Sequence, residues 1–237
     1  GRGPTAGIVR DTDGNLYGTT TFGGAVDGGV AFKLKPNGQE TVLRTFNNKR
    51  GERPFFAGLV RDAAGNLFGT TSRGGPSLDG AVFELDAKGN ETILHSFSGA
   101  DGSRPQAGLV RDAAGNLYGT ADSGGSGSRG VVFKIDSAGT YSVLFNFTSA
   151  SGAFPAASLV RAPDGGLFGT TSFGGTSNDG AVFKLDPSGT ETVLHSFDGT
   201  DGSDPQAGLI RDAAGSLYGT TTTGGPSGEG VVFKLSH

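Results

Sequence analysis

Short apolar runs, each closed by a polar turn that contains glycine, recur from one end of the chain to the other. The third occurrence reads most plainly. Its first run, Ala107–Arg111, ends in the turn Asp112–Asn116, and a second run covers Leu117–Thr120. A glycine-rich loop leads to Val131–Ile135, and the turn at Ser137–Gly139 leads to Tyr141–Phe147. No stretch has the apolar period of a helix, and glycine is too dense for one. Such runs predict strands, with glycine supplying the positive φ that closes each hairpin. The expected class is all-β.

The four runs form a unit that returns five times. Arginine recurs at Arg10, Arg61, Arg111, Arg161 and Arg211, spaced by 51, 50, 50 and 50 residues. Phenylalanine recurs at Phe32, Phe83, Phe133, Phe183 and Phe233, and an aromatic at Tyr17, Phe68, Tyr118, Phe168 and Tyr218. Four-stranded meanders repeating at about 40–50 residues predict the blades of a β-propeller. Its blades would cover approximately residues 1–50, 51–101, 102–151, 152–201 and 202–237, as one domain. Blades packed face to face need large apolar side chains between them. The repeated phenylalanines suit that place, each worth about 1.5–3 kcal/mol when buried.

The outermost strand occurs only four times, as Glu40–Phe46, Glu91–Phe97, Tyr141–Phe147 and Glu191–Phe197. After Phe233 only Lys234 to His237 follow, so blade five is expected to lack it. The N-terminal text Gly1–Pro4 aligns with the loop Gly51–Pro54 and supplies no substitute. Blade packing alone would then close the ring. The last strand, with Val231, Val232, Phe233 and Leu235, would present an unpaired apolar edge open to strand addition.

Composition narrows the remaining classes. The 237 residues include 45 glycines and 10 prolines without a third-residue period, which excludes collagen. A hydrophobic share of 34% with 17 phenylalanines supports a packed core rather than disorder. The net charge of −4 argues against nucleic acid as a partner. No apolar run is long enough for a membrane span, so no membrane insertion is expected. The absence of methionine suggests a piece of a longer translation product, and the absence of cysteine removes thiol chemistry and disulfides.

The pattern LYGTTxxGGxxxxGxVFKL followed by ETVLHSF resembles the GloVer tandem-repeat family of bacterial proteins, along the whole chain. The resemblance implies a cell-surface or secreted repeat protein. It implies no enzymatic activity, and no catalytic residues carry over.

Candidate chemistry concentrates on the long loops that follow the second and fourth strands of each unit. There Phe22, Phe55, Phe154 and Phe173 interrupt polar text, as rim aromatics for stacking on sugars or as cover for loop backbone and interfaces. The five arginines end the innermost strands and are expected to ring a channel mouth. They would serve as an anion site or, structurally, pair with the adjacent turn carboxylates Asp11, Asp62, Asp112 and Asp212. Acidic text at Asp198–Asp204 suggests calcium but lacks EF-hand spacing, and His95 and His195 fall on separate blades. No metal, no cofactor and no catalytic residues are expected. The near-verbatim inner strands contribute no lone carboxylate for acid–base chemistry.

The expected role is a non-enzymatic, extracellular or cell-surface bacterial scaffold, structural or adhesive. Its partner would be itself, in an oligomer or filament joined at the edge strand. The alternative is a lectin-like propeller whose partners are surface glycans bound on the long-loop face.

Overall fold

The computed structural model describes every residue except Ala57 and His237. Nineteen strands form five antiparallel sheets, and there is no helix among the described residues. Blade 1 holds β1 (Val9–Arg10), β2 (Leu16–Thr20), β3 (Val30–Leu34) and β4 (Glu40–Thr45). Blade 2 holds β5 (Val60–Arg61), β6 (Leu67–Thr71), β7 (Ala81–Leu85) and β8 (Glu91–Ser96). Blade 3 holds β9 (Val110–Arg111), β10 (Leu117–Ala121), β11 (Val131–Ile135) and β12 (Tyr141–Asn146). Blade 4 holds β13 (Val160–Arg161), β14 (Leu167–Thr171), β15 (Ala181–Leu185) and β16 (Glu191–Ser196). Blade 5 has only β17 (Ile210–Arg211), β18 (Leu217–Thr220) and β19 (Val232–Leu235). The five-bladed propeller and its short last blade are therefore as the repeats predict.

The inner strands are shorter than expected. β9 pairs with β10 over two residues only, Val110 opposite Tyr118 and Arg111 opposite Leu117. Upstream, Gly108 instead packs around the axis, where an added Cβ would lie 3.0 Å from the Gly58 carbonyl oxygen of blade 2. The short turns hold themselves. The Asp112 carboxylate accepts the Asn116 backbone N–H at 2.9 Å and its side-chain amide at 2.8 Å, with Gly115 at φ +92°.

Between β10 and β11, Gly119 stands opposite Phe133, whose ring lies across it. A Cβ on Gly119 would sit 2.6 Å from Phe133 Cζ, so only glycine lets the ring lie flat on its own sheet. The outward side of that ring meets Phe97 of the preceding blade at 5.4 Å between centroids. The same contact joins Phe46 to Phe83, Phe147 to Phe183 and Phe197 to Phe233.

Four apolar clusters result, each shared by two consecutive blades. The one between blades 2 and 3 joins Phe68, Val82 and Phe97 to Leu109, Leu117 and Phe133. A clasp recurs beside each cluster: Gly29, Gly80, Gly130 and Gly180 face Pro54, Pro105, Pro155 and Pro205 of the next blade. Those four prolines are buried.

The fifth junction differs. Among the described residues no apolar cluster joins blade 5 to blade 1. Val232 is 81% exposed where its counterpart Val132 is 0%, and Ile8 is 58% exposed where Leu109 is 4%. Pro4 is exposed, and an added Cβ on Gly7 would meet nothing within 4 Å. Closure of the ring by blade packing is thus not observed. The two end faces are built like the others but stand open at a seam.

Candidate functional site

Around the axis all five blades line one cavity of about 450 Å³. Thr5, Phe56, Gln106, Ala156 and Gln206 reach it from equivalent places in successive blades, with Thr220–Thr222 beside the seam. Among the described residues the lining is hydroxyl, amide and apolar, with no carboxylate or imidazole. Between proline and alanine blade 2 has the two residues Phe55 and Phe56 where the other copies have one, which accounts for the single 51-residue spacing.

The rim aromatics form two pairs rather than a ring. Phe22 and Phe55, both half-buried, line one groove of about 210 Å³ on the long-loop face. Phe154 and Phe173 meet edge-on at 5.8 Å, and Phe173 is 45% exposed. The first groove also contains Arg53, Arg73 and Arg104, which the residue types alone did not single out. Arg53 and Arg2 lie 5.4 and 5.5 Å from the Phe22 ring centre. Arg104 is fixed by Asp122 at 2.8 Å and by the Ser123 hydroxyl. The signal for these arginines was where the repeat breaks: Arg53 and Arg104 correspond to Phe154 and Asp204, and Arg73 to Ser123 and Thr223.

The five inner-strand arginines do not surround the central cavity. Arg61 and Arg161 line clefts between blades on the short-turn face. The guanidinium groups of Arg61, Arg111 and Arg161 lie 5.7, 5.9 and 5.8 Å from Tyr17, Phe68 and Tyr118 of the preceding blade. Their Nε atoms are buried without a hydrogen-bond partner, as flat plates packed on rings. Among the described residues no ion pair joins them to the turn carboxylates. Those carboxylates serve the turns instead. Asp11 accepts from the Asn15 side chain at 2.8 Å, from Asn15 N–H at 2.8 Å and from Tyr17 Oη at 2.9 Å. The Asn15 amide leads in holding the Asp11 pKa down at about 2. Arg10 is exposed.

His95 and His195 each bind an aspartate of their own blade, at 2.9 Å to Asp101 and 2.7 Å to Asp201. Burial lowers the His95 pKa, and its ring stacks on Tyr141 at 3.6 Å. Among the described residues no three His, Asp or Glu side chains gather to hold a metal ion. Val232, Phe233 and Leu235 lie on β19, Val232 toward the open seam and Phe233 and Leu235 packed on the cluster shared with blade 4. Val231 precedes the strand but continues its ladder, its N–H donating to Thr221 Oγ1 at 3.0 Å.

Residues 3–235 match the model of the Gloeobacter/Verrucomicrobia repeat. The chain belongs to that repeat family. The match to the Gloeobacter/Verrucomicrobia repeat spans all five blades. No curated protein sequence matches the chain.

Solved structures share the architecture of this family member at low identity. A gluconolactonase from Xanthomonas campestris aligns with a TM-score of 0.59 and 16% identity, over 93% of this chain and 71% of that one. The extracellular domain of a candidate hybrid two-component system from B. thetaiotaomicron aligns with a TM-score of 0.63 and 13% identity. It covers 93% of this chain and 27% of that one. A protein of unknown function from Bacteroides thetaiotaomicron gives 0.60 and 12%, over 91% and 52%. At these identities the likeness is one of fold.

Proposed function

We propose that the chain acts as a non-catalytic, extracellular repeat scaffold that makes surface contacts and self-associates through its seam. The contrast between Val232 at 81% exposure and Val132 at 0% carries this reading. An apolar blade face with its β19 edge unpaired is a natural surface for another copy. A non-catalytic role is supported by the central lining, where hydroxyls and amides offer no general base. An extracellular place is supported by the bacterial repeat family and by neighbours that are themselves extracellular domains.

Light scattering across a concentration series tests the reading. Mass should rise above 23.8 kDa with concentration, and Val232→Lys should hold the protein at the monomer. A wild-type mass fixed at the monomer value at every concentration would overturn it. A second reading, carbohydrate contact on the long-loop face, is favoured by the groove that holds Phe22 and Phe55 beside three arginines.

A further inference from the structure

We infer that the groove between Arg53, Arg73 and Arg104 binds an anionic sugar residue, one that carries a carboxylate or a sulfate. The inference rests on the second reading above, of the long-loop face as a carbohydrate surface, and names its ligand.

The first observation is backbone strain at one repeated place. Blade 1 has Gly3 there, at φ +67°, the residue that adopts this conformation most easily. The other blades hold Arg53, Arg104, Phe154 and Asp204 at φ between +54° and +58°. Side chains kept at a left-handed position against its cost mark surfaces with a use. The backbone there is clamped from both sides. Arg53 N–H donates to Gly28 O of blade 1 at 2.7 Å, and Ser72 N–H donates to Arg53 O at 3.0 Å. The side chain is thereby displayed on the rim while the main chain is fixed.

Charge is the second observation. Among the described residues the groove lining includes three guanidinium groups and no carboxylate. Nearby acids are engaged or turned to other spaces. Asp27 pairs with Arg2 at 2.8 Å and Asp122 with Arg104 at 2.8 Å, while Glu52 and Asp79 line an adjoining hollow that Arg73 and Arg104 also border. Among the described residues neither Arg53 nor Arg73 has an ion-pair partner. Guanidinium forks match the geometry of carboxylate and sulfate oxygens. Phe55 adds an apolar wall, and Phe22 holds the Arg53 guanidinium on its ring.

The extent of the site selects a sugar over a nucleic acid. The space is about 210 Å³, below the usual range for drug-sized ligands and suited to one ring. On blades 4 and 5 the long-loop face carries Asp179, Asp198, Asp201 and Asp204, which repel a polyanion tracking across it.

Calorimetry with an oligogalacturonate and a heparin-derived tetrasaccharide, against neutral cello-oligosaccharide and duplex DNA, tests the assignment. An anionic saccharide should bind the wild-type protein, weaken with salt, and bind at least about tenfold less tightly to Arg73→Gln and to Arg53→Gln. Arg129→Gln, away from the groove, should bind as wild type and shows that any loss is local. Binding of the neutral sugar alone would sink this inference and leave the carbohydrate reading standing. Binding of nothing would sink both, and DNA bound as tightly as saccharide would make the groove a nucleic-acid site and overturn the assignment.

Discussion

The guanidinium carbon of Arg61 lies 5.7 Å from the centre of the Tyr17 ring, across the junction between blades 1 and 2. Lys33 approaches the same ring at 5.4 Å, so one tyrosine ties two cations from two blades. Arg61→Ala should therefore weaken a joint, by about 1 kcal/mol for a partly desolvated cation–π contact. Arg10→Ala removes an equivalent arginine at the open end and should change stability by less than about 0.5 kcal/mol. Urea unfolding of the two variants compares them directly.

Axis glycines distinguish the seam from a closed junction. A Cβ on Gly108 would stand 3.0 Å from the Gly58 carbonyl and 3.1 Å from Ser158 Oγ, whereas one on Gly7 meets nothing within 4 Å. Gly108→Ala should lower stability by about 1–3 kcal/mol through overpacking. Gly7→Ala should be neutral or gain about 0.4–1 kcal/mol by restricting the unfolded chain. Thermal melts of both decide the matter, and equal losses would mean that blade 1 is packed from both sides in solution.

Val132 and Val232 are the same residue in two surroundings. Val132→Lys forces a charge into a fully buried position and should prevent folding, with the protein recovered as aggregate. Val232→Lys places the same charge in solvent and should fold with its melting curve nearly unmoved. Circular dichroism on the soluble fraction of each checks the pair.

Acid stability follows from the turns. Side-chain hydrogen bonds lead in lowering the pKa values of Asp11, Asp86 and Asp186, and the Thr140 backbone N–H leads at Asp136. A carboxylate lowered by folding contributes in full above its unfolded pKa of about 3.9, and that share is lost as pH falls toward the folded value. The melting temperature should thus drop between about pH 4 and pH 2. Asp186→Asn should be less stable at neutral pH and show a shallower acid limb. Burial raises the pKa of Glu91 and of Glu191, so those two act in the opposite sense and favour protonation.

The blades were legible because their determinants are local and repeated. Asp112 to Gly115 makes its own turn, and Gly119 with Phe133 sets the strand pair and the interblade ring together. What the text of one repeat could not give was the neighbour across a junction. Arg111 sits one residue from Asp112, which suggested an ion pair, yet its partner is the Phe68 ring of the preceding blade. The seam was hidden for the same reason: Val232 and Val132 have similar local text, and only packing tells them apart. In the groove, Arg53, Arg73 and Arg104 come from separate loops that alternate around the rim, so their convergence depends on how the blades are stacked.

Each blade carries half of the joint to its predecessor and half of the joint to its successor. Proline and arginine lie on one side, and glycine and an aromatic lie on the other. A duplicated copy therefore arrives with both halves already matched. The number of blades can grow or shrink by unequal recombination without a new interface having to evolve, while the long loops drift one copy at a time.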